Sequence, residues 1–385
     1  MPAVHAANDG AIGETRRFRF LDGLRGWAAV VVLLHHVFVD GLPANAVMAD
    51  RELWAKVFFL NGTLAVCVFF VISGFSLSVR YLQTADAHAL GRIAAGRYLR
   101  LAIPIFAVCA ITHVLLVLGI VPPAWQRPPP LDAFLTFKPT IAQLMSFSLV
   151  KVFVAYSGAE TYDPPLWTMS YEFYGSFMVF SIVVALAPSR RRTLALCASF
   201  LLLAAVQTYF ALFVAGVLLA DLFAFVAPSS MANRVGVALC VGGLLLVLLP
   251  SSYFSLVYVC GAASLTAGAV FWGPLRRFFD SRFSSFLGWI SFPLYLTQAA
   301  VIYALAPRAL ALFAAWGFAP EAQRWLADIL LLPTAFVVAI AFCPVNDFAM
   351  AAARRFGRRF VSLSDELRDR LTRRSQAQAF APSRE

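Results

Sequence analysis

Long apolar runs alternate with short polar breaks along almost the whole chain of 385 residues. A helix needs about 20 mostly apolar residues to cross a bilayer. Ten stretches qualify or come close: residues 20–41, 57–79, 101–121, 165–187, 193–207, 208–226, 234–250, 253–272, 286–306 and 326–348. Only Gln207 to Tyr209 separate the fifth from the sixth, so these two form either a tight helical hairpin or one long broken helix. The pattern predicts an all-α fold: a polytopic transmembrane helix bundle of about ten helices with no large soluble domain. Residues 1–19 read as an N-terminal segment, 20–348 as the membrane domain and 349–385 as a basic tail. The segment up to Arg19 is polar and lacks the apolar core and small-residue cleavage site of a signal peptide.

Composition agrees with this pattern. Hydrophobic side chains make up 61% of the chain and charged ones 13%, against about 25% charged in soluble proteins. Mean hydropathy is +0.77. The net charge of +11 would suggest nucleic acid in a soluble protein. Here the basic residues punctuate apolar segments, so they read as topology signals and nucleic acid is not expected as a partner. If the N-terminus is cytoplasmic and ten segments alternate, 24 of the 31 basic residues fall inside and seven outside. The positive-inside rule therefore predicts both termini in the cytoplasm, in a multi-pass protein of a cell membrane, of bacterial inner-membrane type. The six cysteines all lie within apolar runs without CxxC spacing, so neither a disulfide framework nor a metal site is expected.

Two segments outside the spans stand out. The loop from Val121 to Pro164 contains PPAWQRPPP and then the apolar IAQLMSFSLVKVFVAY. It reads as a segment along the membrane interface, a re-entrant segment, a lid or a connector. The tail from Arg354 carries RRFGRRF and SLSDELRDRLTRR. It reads either as a short amphipathic helix on anionic lipid or as a disordered basic tail.

Candidate chemistry comes from the few ionisable residues inside apolar runs, which are costly there. In LDGLRGWAAVVVLLHHVF, Arg25 and His36 are eleven residues apart. That is about 20° beyond three helical turns, so they share a face about 16 Å apart along the axis, while His35 points some 80° away. In GRYLRL, Arg97 and Arg100 are neighbours on one face at the entrance of the third segment. They suit a phosphate clamp or a positive-inside anchor. Glu172, in PPLWTMSYEFYGS, lies at a depth that matches His36, where it can orient an imidazole acting as base. Asp22, Ser73, Trp167, Tyr171 and Gln298 are further candidates for lining a site. Asp221 and Asp347, near helix ends, read as structural. A transporter of an anionic or sugar-like solute is the competing class, since transporters also bury such groups. No internal repeat of the kind common in transporters is visible.

Taken together, five stretches resemble the acyltransferase-3 family of integral membrane acyltransferases. They are LDGLRG with Arg25-x10-His36, FFVISGF, the Arg97-x-x-Arg100 pair, LWTMSYEFY and LGWISFPLYL, in the family's order from Leu21 to about Gln298. The resemblance implies transfer of an acyl group, commonly acetyl, from cytoplasmic acyl-CoA to a hydroxyl of a carbohydrate or glycolipid. Acyl-CoA would be a co-substrate, with no cofactor bound permanently. It implies a catalytic role for His36 and donor binding for Arg25, Arg97 and Arg100. One departure is visible: the family's last motif often ends Tyr-Leu-x-His, and here it reads YLTQ, ending at Gln298.

Overall fold

The computed structural model describes residues 18–42, 50, 53, 57–206, 208–223, 229–249 and 255–379, of which 373–379 are described by backbone only. The N-terminal segment expected to lack a signal peptide lies outside these residues apart from Phe18 and Arg19. Twelve helices and no strand occur among the described residues. They are α1 Arg19–His35, α2 Gly62–Thr84, α3 Ala87–Val117, α4 Ile141–Val154, α5 Thr168–Leu186 and α6 Arg192–Ala205. Then follow α7 Phe210–Phe223, α8 Ser230–Val247, α9 Leu256–Phe271, α10 Gly273–Phe279, α11 Arg282–Ala315 and α12 Pro320–Ala379. A π-helical stretch, His36–Gly41, continues α1.

Each of the ten expected spans falls on a helix, and seven are long and apolar enough to cross a membrane. The exceptions are instructive. Helices α6 and α7 have 14 residues each, about 21 Å, short of a hydrocarbon core of about 30 Å. They pack against each other as a pair, and Asp221 near the end of α7 accepts from Thr193 at 2.6 Å and pairs with Arg192 at 2.7 Å at the start of α6. Residues 211–217 and 219–221 of α7 are all buried, so its apolar character serves the protein core and not lipid. The span expected at 253–272 bends by 91° at Trp272 into α10.

Helix α3 begins fourteen residues before the expected 101, capped by the Asp86 carboxylate, which accepts from Ala89 N at 2.8 Å. Arg97 and Arg100 thus lie well inside a helix and not at its mouth. The basic tail is no separate element either: α12 runs unbroken through 60 residues. Close packing holds it on α3. A Cβ at Gly357 would lie 2.2 Å from Arg92 O, and His88 Nδ1 lies 3.5 Å from Asp365 Oδ2.

Two registers fix the heights of the functional residues. Helices α1 and α11 run parallel, with Gly26 against Leu287 and Gly288 and Gly23 against Ser284. A Cβ at Gly26 would fall 2.4 Å from Gly288 N, which is why LRG and LGW both need glycine. Ten residues further along each helix stand His36 and Gln298, at one height. Helices α1 and α2 run antiparallel, with the His35 ring on Gly62. Counting back from that contact brings Arg25 and Ser73 to one height, about 15 Å from the His35 level.

The 118–163 segment is a folded cap on the His36 end of the bundle. Val121, Leu131 and Leu135 share a core cluster with Leu33, Val37 and Leu42 of α1 and its continuation and with Leu294, Val301 and Ile302 of α11. Arg127 is buried and donates to Leu131 O at 2.6 Å and Phe134 O at 2.8 Å, with its guanidinium 5.4 Å from the Tyr303 ring centre.

Candidate active site

Two polar groups lie inside the bundle, one near mid-height and one at the His36 end. The mid-height group gathers side chains from four helices. Asp22 and Arg25 of α1 pair at 3.4 Å. Arg97 of α3 pairs with Glu172 of α5, and its Nε donates to Ser176 Oγ at 2.7 Å. Ser73 of α2 donates to Glu172 Oε1 at 2.6 Å. Ser176 Oγ in turn donates to the Glu172 carbonyl at 2.5 Å, so its one hydroxyl links the helix backbone to the guanidinium. Arg100 lies within electrostatic reach of Arg97, Arg25, Glu172 and Asp22.

Three guanidiniums meet two carboxylates here, which leaves one net positive charge. Arg100 makes no hydrogen bond or ion pair to a described residue, whereas Arg25 and Arg97 each have a carboxylate partner. A half-buried guanidinium beside two others, with no partner among the described residues, is chemically able to hold an anion.

Gly74, next to Ser73, explains the rest of FFVISGF. A Cβ there would lie 2.1 Å from Phe213 O, so the glycine lets α2 touch α7 while Ser73 faces Glu172. Ser73 is the twelfth of 23 residues in α2, midway along it.

Glu172 departs from expectation. Matching its depth to His36 assumed that both helices start in one plane. The turn Pro164–Trp167 that leads into α5 is instead tied to Tyr295, whose hydroxyl donates to Pro165 O at 2.7 Å and lies 2.8 Å from Thr168 Oγ1. Tyr295 is three residues from Gln298, and Glu172 is four beyond Thr168. This places Glu172 about 10 Å from the His36 level. Its carboxylate is committed to Arg97 and Ser73, and no contact joins it to His36 among the described residues.

The two histidines are set apart. His35 Nδ1 lies 2.8 Å from Leu60 O and Nε2 lies 3.3 Å from Asp40 Oδ2. His36 is the first residue of the π-helical stretch, and its backbone N–H still bonds to Val32 O. The helical phase that puts it above Arg25 therefore holds up to that junction. Its ring lies 5.9 Å from the His35 ring.

Gln298 is fully buried, with Nε2 donating to Tyr295 O at 3.1 Å. Trp167 and Tyr171 line a groove of about 440 Å³ with Tyr156, Tyr174 and Phe210. That groove lies beside the Glu172 turn. Sequence reasoning missed Ser176, although it stands four residues after Glu172 on the same helical face. It also missed Tyr295, which joins LWTMSYEFY to LGWISFPLYL. No group of three or more His, Cys, Asp or Glu side chains that can hold a metal occurs among the described residues.

Comparison with known proteins bears on this arrangement. The profile of the acyltransferase domain family, type 3, matches residues 18–345. A curated relative is the O-acetyltransferase PaAT-1 of Phomopsis amygdali, 27% identical over 246 residues, covering 53% of this chain and 48% of the relative. The chain thus matches about half the length of that relative. No solved structure matches it. The family profile takes in both polar groups, from Asp22 to Gln298, and most of the membrane-length helices. The chain belongs to the acyltransferase-3 family.

Proposed function

We propose that the protein is a membrane O-acyltransferase. It moves an acyl group, acetyl in the first instance, from cytoplasmic acyl-CoA to a hydroxyl of a carbohydrate or glycolipid. The observation that carries this reading is Arg100, which makes no hydrogen bond or ion pair to a described residue and lies within electrostatic reach of Arg97 and of Arg25, the residue that shares a face of α1 with His36. Acyl-CoA is anionic at its phosphates and neutral along its pantetheine arm. The arginines hold the phosphates, and the arm carries the thioester towards His36, about 16 Å along α1. Family membership and the relative's printed name as an O-acetyltransferase both support the reading.

His36 takes the proton from the acceptor hydroxyl as its oxygen attacks the thioester carbonyl. The C–S bond breaks, the new ester forms, and the thiolate of CoA leaves and is protonated. Glu172 acts from the donor side by holding Arg97 in place, and Ser73 and Ser176 fix that pair. In this reading α1 runs from the cytoplasm outward, so donor and acceptor approach from opposite faces, and the cap covers the acceptor side.

The test uses the full chain in lipid nanodiscs with labelled acetyl-CoA. Donor binding that weakens in Arg100→Gln, and transfer that disappears in His36→Ala while donor binding persists, are expected. Movement of a sugar across sealed vesicles without CoA release would replace this reading with a transporter.

A further inference from the structure

The second polar group, at the His36 end, lies apart from the arginines. Asp163, Gln298 and Thr112 are 1%, 0% and 1% exposed. Both carboxyl oxygens of Asp163, Oε1 of Gln298 and Oγ1 of Thr112 have no hydrogen-bond partner among the described residues. Native interiors leave few such atoms unpaired, because each costs free energy. Here four such atoms belong to three side chains.

Their positions converge. Asp163 precedes the turn that Tyr295 holds through Pro165 O. Its charge, were it ionised, would be felt by Cys109 of α3, Tyr156 of the cap, and Tyr295 and Tyr303 of α11. Gln298 lies between those two tyrosines, one turn from Tyr295. Thr112 lies one turn from Cys109 on the same face of α3. Gln298 is at the height of His36 by the α1–α11 register.

We propose that Asp163, Gln298 and Thr112 form the hydroxyl-recognition subsite for an uncharged, hydroxyl-rich acceptor. This rests on the acyl-transfer reading above and names the residues of its acceptor half. The unpaired atoms supply both acceptors and donors, which is what a run of sugar hydroxyls requires. Burial holds the Asp163 carboxyl well above the usual carboxylate range. A neutral carboxyl donates one hydrogen bond and accepts others, and it does not attract a cation. The groups near it include one thiol and three phenols, and it makes no ion pair with a basic side chain among the described residues.

The test measures CoA release and ester formation by the full chain in nanodiscs, with acetyl-CoA as donor and methyl β-D-glucopyranoside as acceptor probe. Asp163→Ala should raise the glucoside KM about tenfold, the loss of one buried hydrogen bond. The acetyl-CoA KM should stay within about twofold. Asp163→Asn, which keeps a neutral donor and acceptor, should restore most of the affinity. The alanine variant should also melt at a higher temperature, because it removes an unsatisfied buried group. Should Asp163→Ala fail to fold, Gln298→Leu is read alone and should raise the glucoside KM in the same direction. An unchanged glucoside KM, or an equal change in both KM values, overturns the subsite. A parent protein that binds acetyl-CoA yet never acylates the glucoside overturns the polyol class. One that does not bind acetyl-CoA overturns the reading beneath it.

Discussion

The two polar groups inside the bundle are built on opposite principles. At mid-height every charged group but Arg100 is paired: Arg25 with Asp22, Arg97 with Glu172 and Ser176, and Ser73 with Glu172. At the His36 end, Asp163, Gln298 and Thr112 leave oxygens with no partner. A paired network holds fixed charge in place before a ligand arrives. An unpaired one stores an unmet demand that only a ligand or water relieves. The difference suits a donor common to many reactions on one side and a selected acceptor on the other.

The most damaging change to this contrast should come between the two groups. His36→Ala is expected to lower the transfer rate by about 10²–10⁴, the usual value of a general base, while donor binding persists. His35→Ala should leave the rate close to the parent, because both His35 nitrogens are engaged in tying α1 to Leu60 and Asp40. Its cost should appear in thermal stability. Equal losses of rate in the two variants would erase the distinction that helical phase draws.

The next effect tests the paired group. Glu172→Gln leaves the buried Arg97 guanidinium without its counter-charge, which costs about 3 kcal/mol in comparable buried pairs. Unfolding midpoints of the purified variant should fall accordingly. If Glu172 instead served His36, the stability would hold and the pH–rate profile alone would change. Arg100→Gln should be milder to the fold, since that guanidinium has no hydrogen-bond or ion-pair partner among the described residues to abandon. It should raise the acetyl-CoA KM about thirtyfold, the value of one charge-assisted hydrogen bond.

Sequence made the paired group legible because its members recur at helical spacing within short motifs. Arg25, Arg97, Arg100 and Glu172 are each conspicuous as charges in apolar runs. Which charge meets which was not legible. Depth counted from helix ends pairs Glu172 with His36, but the end of α5 is displaced by the Tyr295 tie to Pro165. The ten helices were readable from hydropathy. The shortness of α6 and α7 and the bend at Trp272 were not, since a buried core helix and a membrane span have the same apolar signature. Asp163 stayed hidden for a different reason. It lies outside every apolar run, just before two prolines, where an acidic residue ordinarily marks an exposed turn.

The smallest effect singles out the unpaired group by its protons. In the folded chain the Asp163 carboxyl is pushed well above the usual range by burial alone. In the unfolded chain it loses its proton near pH 4. Above that pH the folded state therefore binds one more proton than the unfolded state, and stability falls as pH rises. The slope is about 1.4 kcal/mol per pH unit, beginning near pH 4 and ending where the buried carboxyl at last ionises. No salt bridge to a described residue offsets it, since neither carboxyl oxygen has a partner there. Unfolding in detergent should thus be harder at pH 5 than at pH 7, and Asp163→Asn should remove that part of the slope. A slope identical in parent and variant would mean that Asp163 is already ionised in the fold. The group at the His36 end would then be a second charged network, and the contrast with the arginines would vanish.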